Sequence, residues 1–157
     1  MTAIRVLNLD QVLDGSGIRV GIIKSMWNRE IVDSLVDACI SALEMDSVTK
    51  ITVEEVAGAF ELPLAASVLA RSGKFDAIIA IGCLVKGGTM HFEYISNATV
   101  NGLMRVQLDQ RIPVINGVLN VLTDGQALDR CGAGNNHGFS FGKTAVHQVL
   151  MMRKYTP

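Results

Sequence analysis

An excess of either charge is missing from this 157-residue chain: 15 acidic residues face 14 basic ones, for a net charge of -1. No lysine- or arginine-rich block stands anywhere along it, and following a nucleic-acid backbone requires such a stripe. Nucleic acid is therefore excluded as the main partner. Long hydrophobic runs are missing too. The apolar stretch from Ala77 to Val85 falls far short of the ~20 residues a membrane-spanning helix needs. The opening Met1-Thr2-Ala3-Ile4-Arg5 has neither the apolar core nor the small-residue cleavage site of a secretion signal, so the expected compartment is the cytoplasm. Cysteine is sparse. Cys39, Cys83 and Cys131 are odd in number and far apart, with no C-x-x-C pair, which argues against a disulfide framework or a zinc site. They read as core or site-lining thiols. With three prolines and 49% apolar residues, the chain does not have the composition of a disordered segment.

What is present is an alternation of strand and helix patterns. Ile18–Ile23 reads as a strand. Beyond Asn28, a candidate N-cap, apolar residues at 31, 32, 35, 36, 39, 40 and 43 mark one buried helical face. Ile51–Val56 is a second strand. Pro63 suits the first turn of a helix that runs to about Arg71, and Gly73 is placed to end it. Asp76–Gly82 is almost wholly apolar, as a strand buried on both faces must be. A long helix from about Met90 to Leu108 follows, then a strand at Pro113–Leu119 and helices at Asp124–Arg130 and Phe141–Met152. This order predicts an α/β fold, a single-domain three-layer sandwich whose four-stranded parallel sheet carries helices on both faces in the flavodoxin-like manner. Residues 1–157 form one domain, with residues 1–16 as an N-terminal arm. A chain of this length buries roughly 70% of its unfolded surface and needs no metal or disulfide to fold.

In parallel sheets, ligands sit beyond the carboxyl ends of the strands. Four loops lie there, and each holds unusual residues. Trp27, the single tryptophan, either caps a core edge or offers a π face to a flat heterocycle. Gly58-Ala59-Phe60-Glu61 combines small residues with a carboxylate that could contact a ligand or complement a helix dipole. Lys86-Gly87-Gly88-Thr89-Met90-His91 resembles an anion cradle at a helix start, although it is neither a Walker loop nor a G-x-G-x-x-G turn. His91 is an imidazole one step beyond that cradle, able to move protons near neutral pH. Arg130 could supply a fixed cation or be a solvated arginine.

Taken together the loops resemble those of the lumazine synthase family. Trp27-Asn28 matches an aromatic-Asn pair after the first strand, and Gly58 through Pro63 matches a Gly-(Ala/Ser)-aromatic-Glu-(Ile/Leu)-Pro loop. Gly82 through Tyr94 matches a long motif without a gap, while Gln126-Ala127 and Arg130-Cys131-Gly132 match a fourth segment. The resemblance covers about residues 11 to 152. Trp27-Asn28, Lys86, Thr89 through Ser96 and Asn136-His137-Gly138 look closest to the fungal branch.

The resemblance implies a riboflavin-biosynthesis transferase. Its reaction condenses 5-amino-6-ribitylaminouracil with 3,4-dihydroxy-2-butanone 4-phosphate, giving 6,7-dimethyl-8-ribityllumazine with release of water and phosphate. By the same resemblance, Trp27, Ala59, Phe60, Glu61, Cys83, Leu84, Val85 and Asn116 bind the pyrimidine and its ribityl chain. Gly88, Thr89 and Arg130 hold the phosphate, and His91 shuttles protons. No metal or cofactor is implied. The assembly implied is a homopentamer with each active site between subunits, Asn116 and Arg130 reaching into the neighbour's site and Ile4–Val12 adding to the adjacent sheet. The long Ala133–Asn136 stretch favours a lone pentamer over a sixty-subunit shell.

The chain departs from the family pattern in four places. Ala57 replaces a usual proline, and Asn116 makes an ordinarily apolar or aromatic wall polar. Gly125 replaces an acidic residue at a cost of roughly 1 kcal/mol in helix propensity. The segment from Gly138 to Lys143 lacks the lysine of bacterial members and the acid of many fungal ones. Two further readings stay open at this level: a flavin- or lumazine-binding paralogue without catalysis, and a monomeric flavodoxin-like signalling or electron-transfer module.

Overall fold

A computed structural model describes residues 10–157. The expectation for Ile4 to Leu9 as part of a sheet-extending arm lies outside these residues. Strands β1 (Arg19–Ser25), β2 (Lys50–Val56), β3 (Ala77–Val85) and β4 (Val114–Val121) form one parallel sheet in the order β2-β1-β3-β4. The expected fold class, α/β with a four-stranded parallel sheet, is what the chain adopts.

The apolar patterns explain the layers. On β3, Ala77, Ile79 and Ile81 join Val20 and Ile22 of β1 on one face, where helices α1 (Arg29–Met45) and α5 (His137–Arg153) bring Leu35, Cys39, Leu43, Val146 and Val149. Ile78 and Ala80 point to the other face with Ile23. There α2 (Leu62–Arg71) and α3 (His91–Gln110) supply Leu62, Ala66 and Leu103. Each fully buried Ile or Leu contributes ~1.5–3 kcal/mol, so the double-sided β3 anchors the molecule. A short helix α4 (Asp124–Cys131) follows β4, with Thr123 Oγ1 accepting from Gln126 N–H as its cap. Pro63 stands in the first turn of α2, and Gly73, at φ 71°, turns the chain after it, both as expected.

Two local expectations are corrected. Helix α5 begins at His137, four residues before the expected Phe141, because Asn136 caps it by accepting from Gly138 N–H at 2.9 Å. Its early glycines are contact points against α1: a Cβ at Gly138 would lie 2.0 Å from Leu35 O, and one at Gly142 2.6 Å from Cys39 O. Asn28 does precede α1, but its side chain makes no capping bond and its backbone is left-handed, at φ 55° and ψ 47°. That side chain is used elsewhere.

The segment entering β1 is clamped by a buried ion pair. Lys143 Nζ lies 2.6 Å from Asp46 Oδ1 and also donates to Gln11 O at 2.9 Å, while Leu13 N–H donates to Asp46 Oδ1 at 2.9 Å.

Candidate active site

The strand order itself opens a cleft. From β1 the chain crosses to β2 on one side, and from β2 it returns past β1 to β3 on the other. The loops after β1 and β3 therefore diverge at a topological switch point. Pairing of β1 with β3 ends at Lys24 and Ile81, although β3 continues to Val85 alongside β4. Beyond that point Met26 N–H turns towards β2, donating to Val56 O at 2.9 Å. Ser25 Oγ, buried beside Gly82 at the base of the split, has no hydrogen-bond partner among the described residues.

The cleft holds about 580 Å³ and is lined by Trp27, Asn28, Gly58, Ala59, Phe60, Glu61, Cys83, Leu84, Val85, His91 and Ile95. Eight residues singled out in the sequence thus meet in one place: Trp27, Ala59, Phe60, Glu61, Cys83, Leu84, Val85 and His91. Trp27 is 73% exposed and does not plug the core edge; its indole stands free at the mouth. Gly58 is where two lining groups converge, since a Cβ there would stand 3.2 Å from Glu61 Oε2 and 3.4 Å from Trp27 Cδ1. A 3-10 turn, Ala59–Glu61, carries the next wall, and Thr99 Oγ1 of α3 pins it by donating to Ala59 O at 3.2 Å.

Burial pushes the Cys83 thiol up to about 11, with Cys131 and Asp124 adding to the effect. Cys83 therefore lines the cleft as a neutral thiol rather than a thiolate nucleophile.

The glycine turn lies beside the cleft. Gly87 and Gly88 are exposed, and a Cβ on either would meet no atom within 4 Å. Thr89 Oγ1 accepts from His91 N–H at 3.3 Å, and Lys86 pairs with Glu93 across the turn while standing 5.8 Å from the centre of the Phe92 ring. The turn is thereby tied at both ends with its N–H groups at the start of α3, a geometry suited to an anion.

Asn116 and Arg130 do not join the cleft of their own chain. Asn116 is an exposed residue on the edge strand β4, with Oδ1 accepting from Val118 N–H at 3.2 Å. Arg130 is half-buried at the end of α4 and donates to Gln126 O at 2.8 Å. Three lining residues were not singled out as site residues from the sequence. Ile95, one turn after His91 on the same helix face, could have been found from its i+4 spacing. Gly58 and Asn28 owe their places to contacts across the cleft, which no local pattern displays. Among the described residues, no group of three His, Cys, Asp or Glu could hold a metal ion, and no helix is long and apolar enough to cross a membrane.

Residues 17–153 match the family described as 6,7-dimethyl-8-ribityllumazine synthase. A protein of that name from Paraburkholderia phymatum is 47% identical over 139 residues, covering 87% of this chain and 79% of its own. One from Schizosaccharomyces pombe is 43% identical over 143 residues, covering 88% and 90%. A third, from Thermococcus kodakarensis, is 36% identical over 140 residues, covering 89% and 90%. The chain belongs to the lumazine synthase family. The family match spans every strand and helix of the sandwich, and every cleft-lining residue falls inside it.

Proposed function

We propose that the chain acts as a transferase of riboflavin biosynthesis. It condenses 5-amino-6-ribitylaminouracil with 3,4-dihydroxy-2-butanone 4-phosphate to 6,7-dimethyl-8-ribityllumazine, releasing water and phosphate. Family membership supports the reaction. The observation that carries it at the level of chemistry is the meeting, in one cleft, of an exposed indole, two backbone walls, a carboxylate and an imidazole.

Each group answers a demand of the reaction. A planar pyrimidine needs a stacking surface, which Trp27 supplies. The ring edges and ribityl chain need polar contacts, which Ala59, Phe60, Glu61 and the backbone of Cys83, Leu84 and Val85 offer. Gly88 and Thr89 hold the phosphate at the head of α3 until it leaves. His91 passes protons during imine formation and phosphate elimination, a contribution of ~10²–10⁴-fold for a single acid-base group. Holding the two reactants together supplies the rest.

Asn116 and Arg130 complete the site from a neighbouring subunit in a homopentamer, Asn116 against the pyrimidine and Arg130 against the phosphate. Their position outside their own chain's cleft supports this reading. So does the apolar surface of α2 and α3, where Leu64, Val68, Met104 and Leu108 stand exposed. The compartment proposed is the cytoplasm.

Mixing the two substrates with the purified protein and following lumazine fluorescence tests the reading. Product formation at a rate above the uncatalysed mixture is expected. Riboflavin binding without any product would overturn it in favour of a binding protein.

A further inference from the structure

Asn28 gives up two ordinary comforts. It holds a left-handed backbone at φ 55°, a conformation that favours glycine although asparagine tolerates it better than most residues, and it leaves α1 without a side-chain cap. In exchange its Nδ2 donates to Cys83 O at 2.8 Å, a contact across 55 residues. The strand pairing explains why that carbonyl needs a donor. β1 leaves β3 after Lys24 and Ile81, so the side of β3 that faced β1 has no further strand to bond. Asn28 supplies by side chain the donor that a continued β1 would have supplied by backbone.

We infer that Asn28 is a positioning residue for the pyrimidine, fixing the Cys83–Val85 backbone so that its outward groups face the cleft. Along a strand the N–H and C=O of one residue share a side, and the side alternates with the next. Lys86 N–H donates to Val121 O at 2.9 Å, on the β4 side. Residue 85 therefore directs its backbone groups the other way, as Cys83 does towards Asn28. Cys83, Leu84 and Val85 all line the cleft. With the Cys83 carbonyl held, the adjoining peptide planes cannot rotate freely, and Val85 keeps its polar backbone edge turned towards the bound ring. Without the tie, the end of β3 is paired on one side only. The phosphate turn is anchored separately, by Thr89 and by Lys86 with Glu93, and does not depend on Asn28.

This inference rests on the proposed reaction, so its test carries a readout independent of turnover. Asn28→Gly keeps the left-handed backbone at no strain while removing the amide. Its affinity for riboflavin, followed by fluorescence quenching, should fall about tenfold, the loss expected for one well-placed hydrogen bond. The KM for the pyrimidine should rise to match, and the KM for the butanone phosphate should stay within about twofold. Asn28→Asp places an acceptor against the Cys83 carbonyl. Its riboflavin affinity, relative to the parent protein, should be poor near neutrality and recover as pH falls towards about 4, where the carboxyl gains a proton to donate. An unchanged affinity in Asn28→Gly, an equal rise in both KM values, or an Asn28→Asp protein that tracks the parent at every pH would overturn the inference. A parent protein that binds riboflavin but forms no product would sink the proposed reaction instead, and the affinity of Asn28→Gly would still judge the tie.

Discussion

A methyl group added at Gly88 would touch nothing within 4 Å, and the residue has no positive φ. Neither packing nor backbone strain therefore asks for glycine there; a ligand approaching the turn would. Gly88→Ala should leave stability within ~0.5 kcal/mol of the parent, as surface changes usually do. If the turn grips phosphate, the same change raises the KM for the butanone phosphate about tenfold through a lost backbone contact, with little effect on the pyrimidine. Urea denaturation and steady-state kinetics check the two halves, and a protein with unaltered kinetics would remove Gly88 from the phosphate site. Much of the candidate site was legible residue by residue. Trp27, Glu61 and His91 are chemically conspicuous, and each sits just past a strand. What stayed hidden depended on partners distant in sequence: Asn28 looks like a cap until Cys83 is seen opposite it, and Gly58 is an ordinary loop glycine until Trp27 and Glu61 close over it.

Among elements, the strands and α1 are plain from their apolar patterns, Pro63 and Gly73 bracket α2, and the boundaries of these elements and of α3 move by only a few residues. Helix α5 was the exception. Gly138 reads as a residue ahead of the helix because glycine lowers helix propensity, yet it and Gly142 sit where α5 touches the backbone of α1, a contact no single-helix pattern reveals. Lys143 joins the same two helices from inside. It is 3% exposed and Asp46 is fully buried, so neither charge has water to fall back on. Lys143→Met leaves the carboxylate unpaired and should cost ~3–5 kcal/mol in urea denaturation, and adding Asp46→Asn should recover part of that loss. A loss below ~1 kcal/mol would mean that the pair is solvated in solution. The same, amino-terminal end of the sheet has a more exposed tie, where Arg19 bridges to Asp76 at 2.9 Å and joins the starts of β1 and β3. The Arg19 hydrogen bond holds the Asp76 carboxyl below its ordinary range, against the opposing effect of burial. A depressed folded-state value means that the unfolded chain takes up the proton first. The contribution is therefore present above the ordinary carboxylate value of about 4 and is lost as pH falls through the lower folded value. Asp76→Asn should be less stable than the parent at neutral pH, and the gap should close in acid. A gap that persists unchanged below that range would show that packing, not charge, makes the difference.

For the molecule as a whole, the question is what covers its apolar outside. Helix α3 has 20 residues but fully buries only Thr99 and Leu103, while Leu108 is 67% exposed and Leu64 of the adjacent α2 is 73% exposed. Such a face is costly on a monomer and ordinary at a subunit contact. The cleft itself argues the same way, because it contains His91 but not Arg130. If each site takes His91 from one subunit and Arg130 from the next, two crippled proteins can repair each other. His91→Ala and Arg130→Ala should each lose most activity alone. Unfolded together in equal amounts and refolded as mixed rings, they place an intact His91 beside an intact Arg130 at half times half of the interfaces, so about one quarter of parental activity should return. Sedimentation of the mixture confirms that rings have re-formed. Activity no greater than the sum of the separately refolded variants, in rings of the right size, would mean that both residues serve a site within one chain.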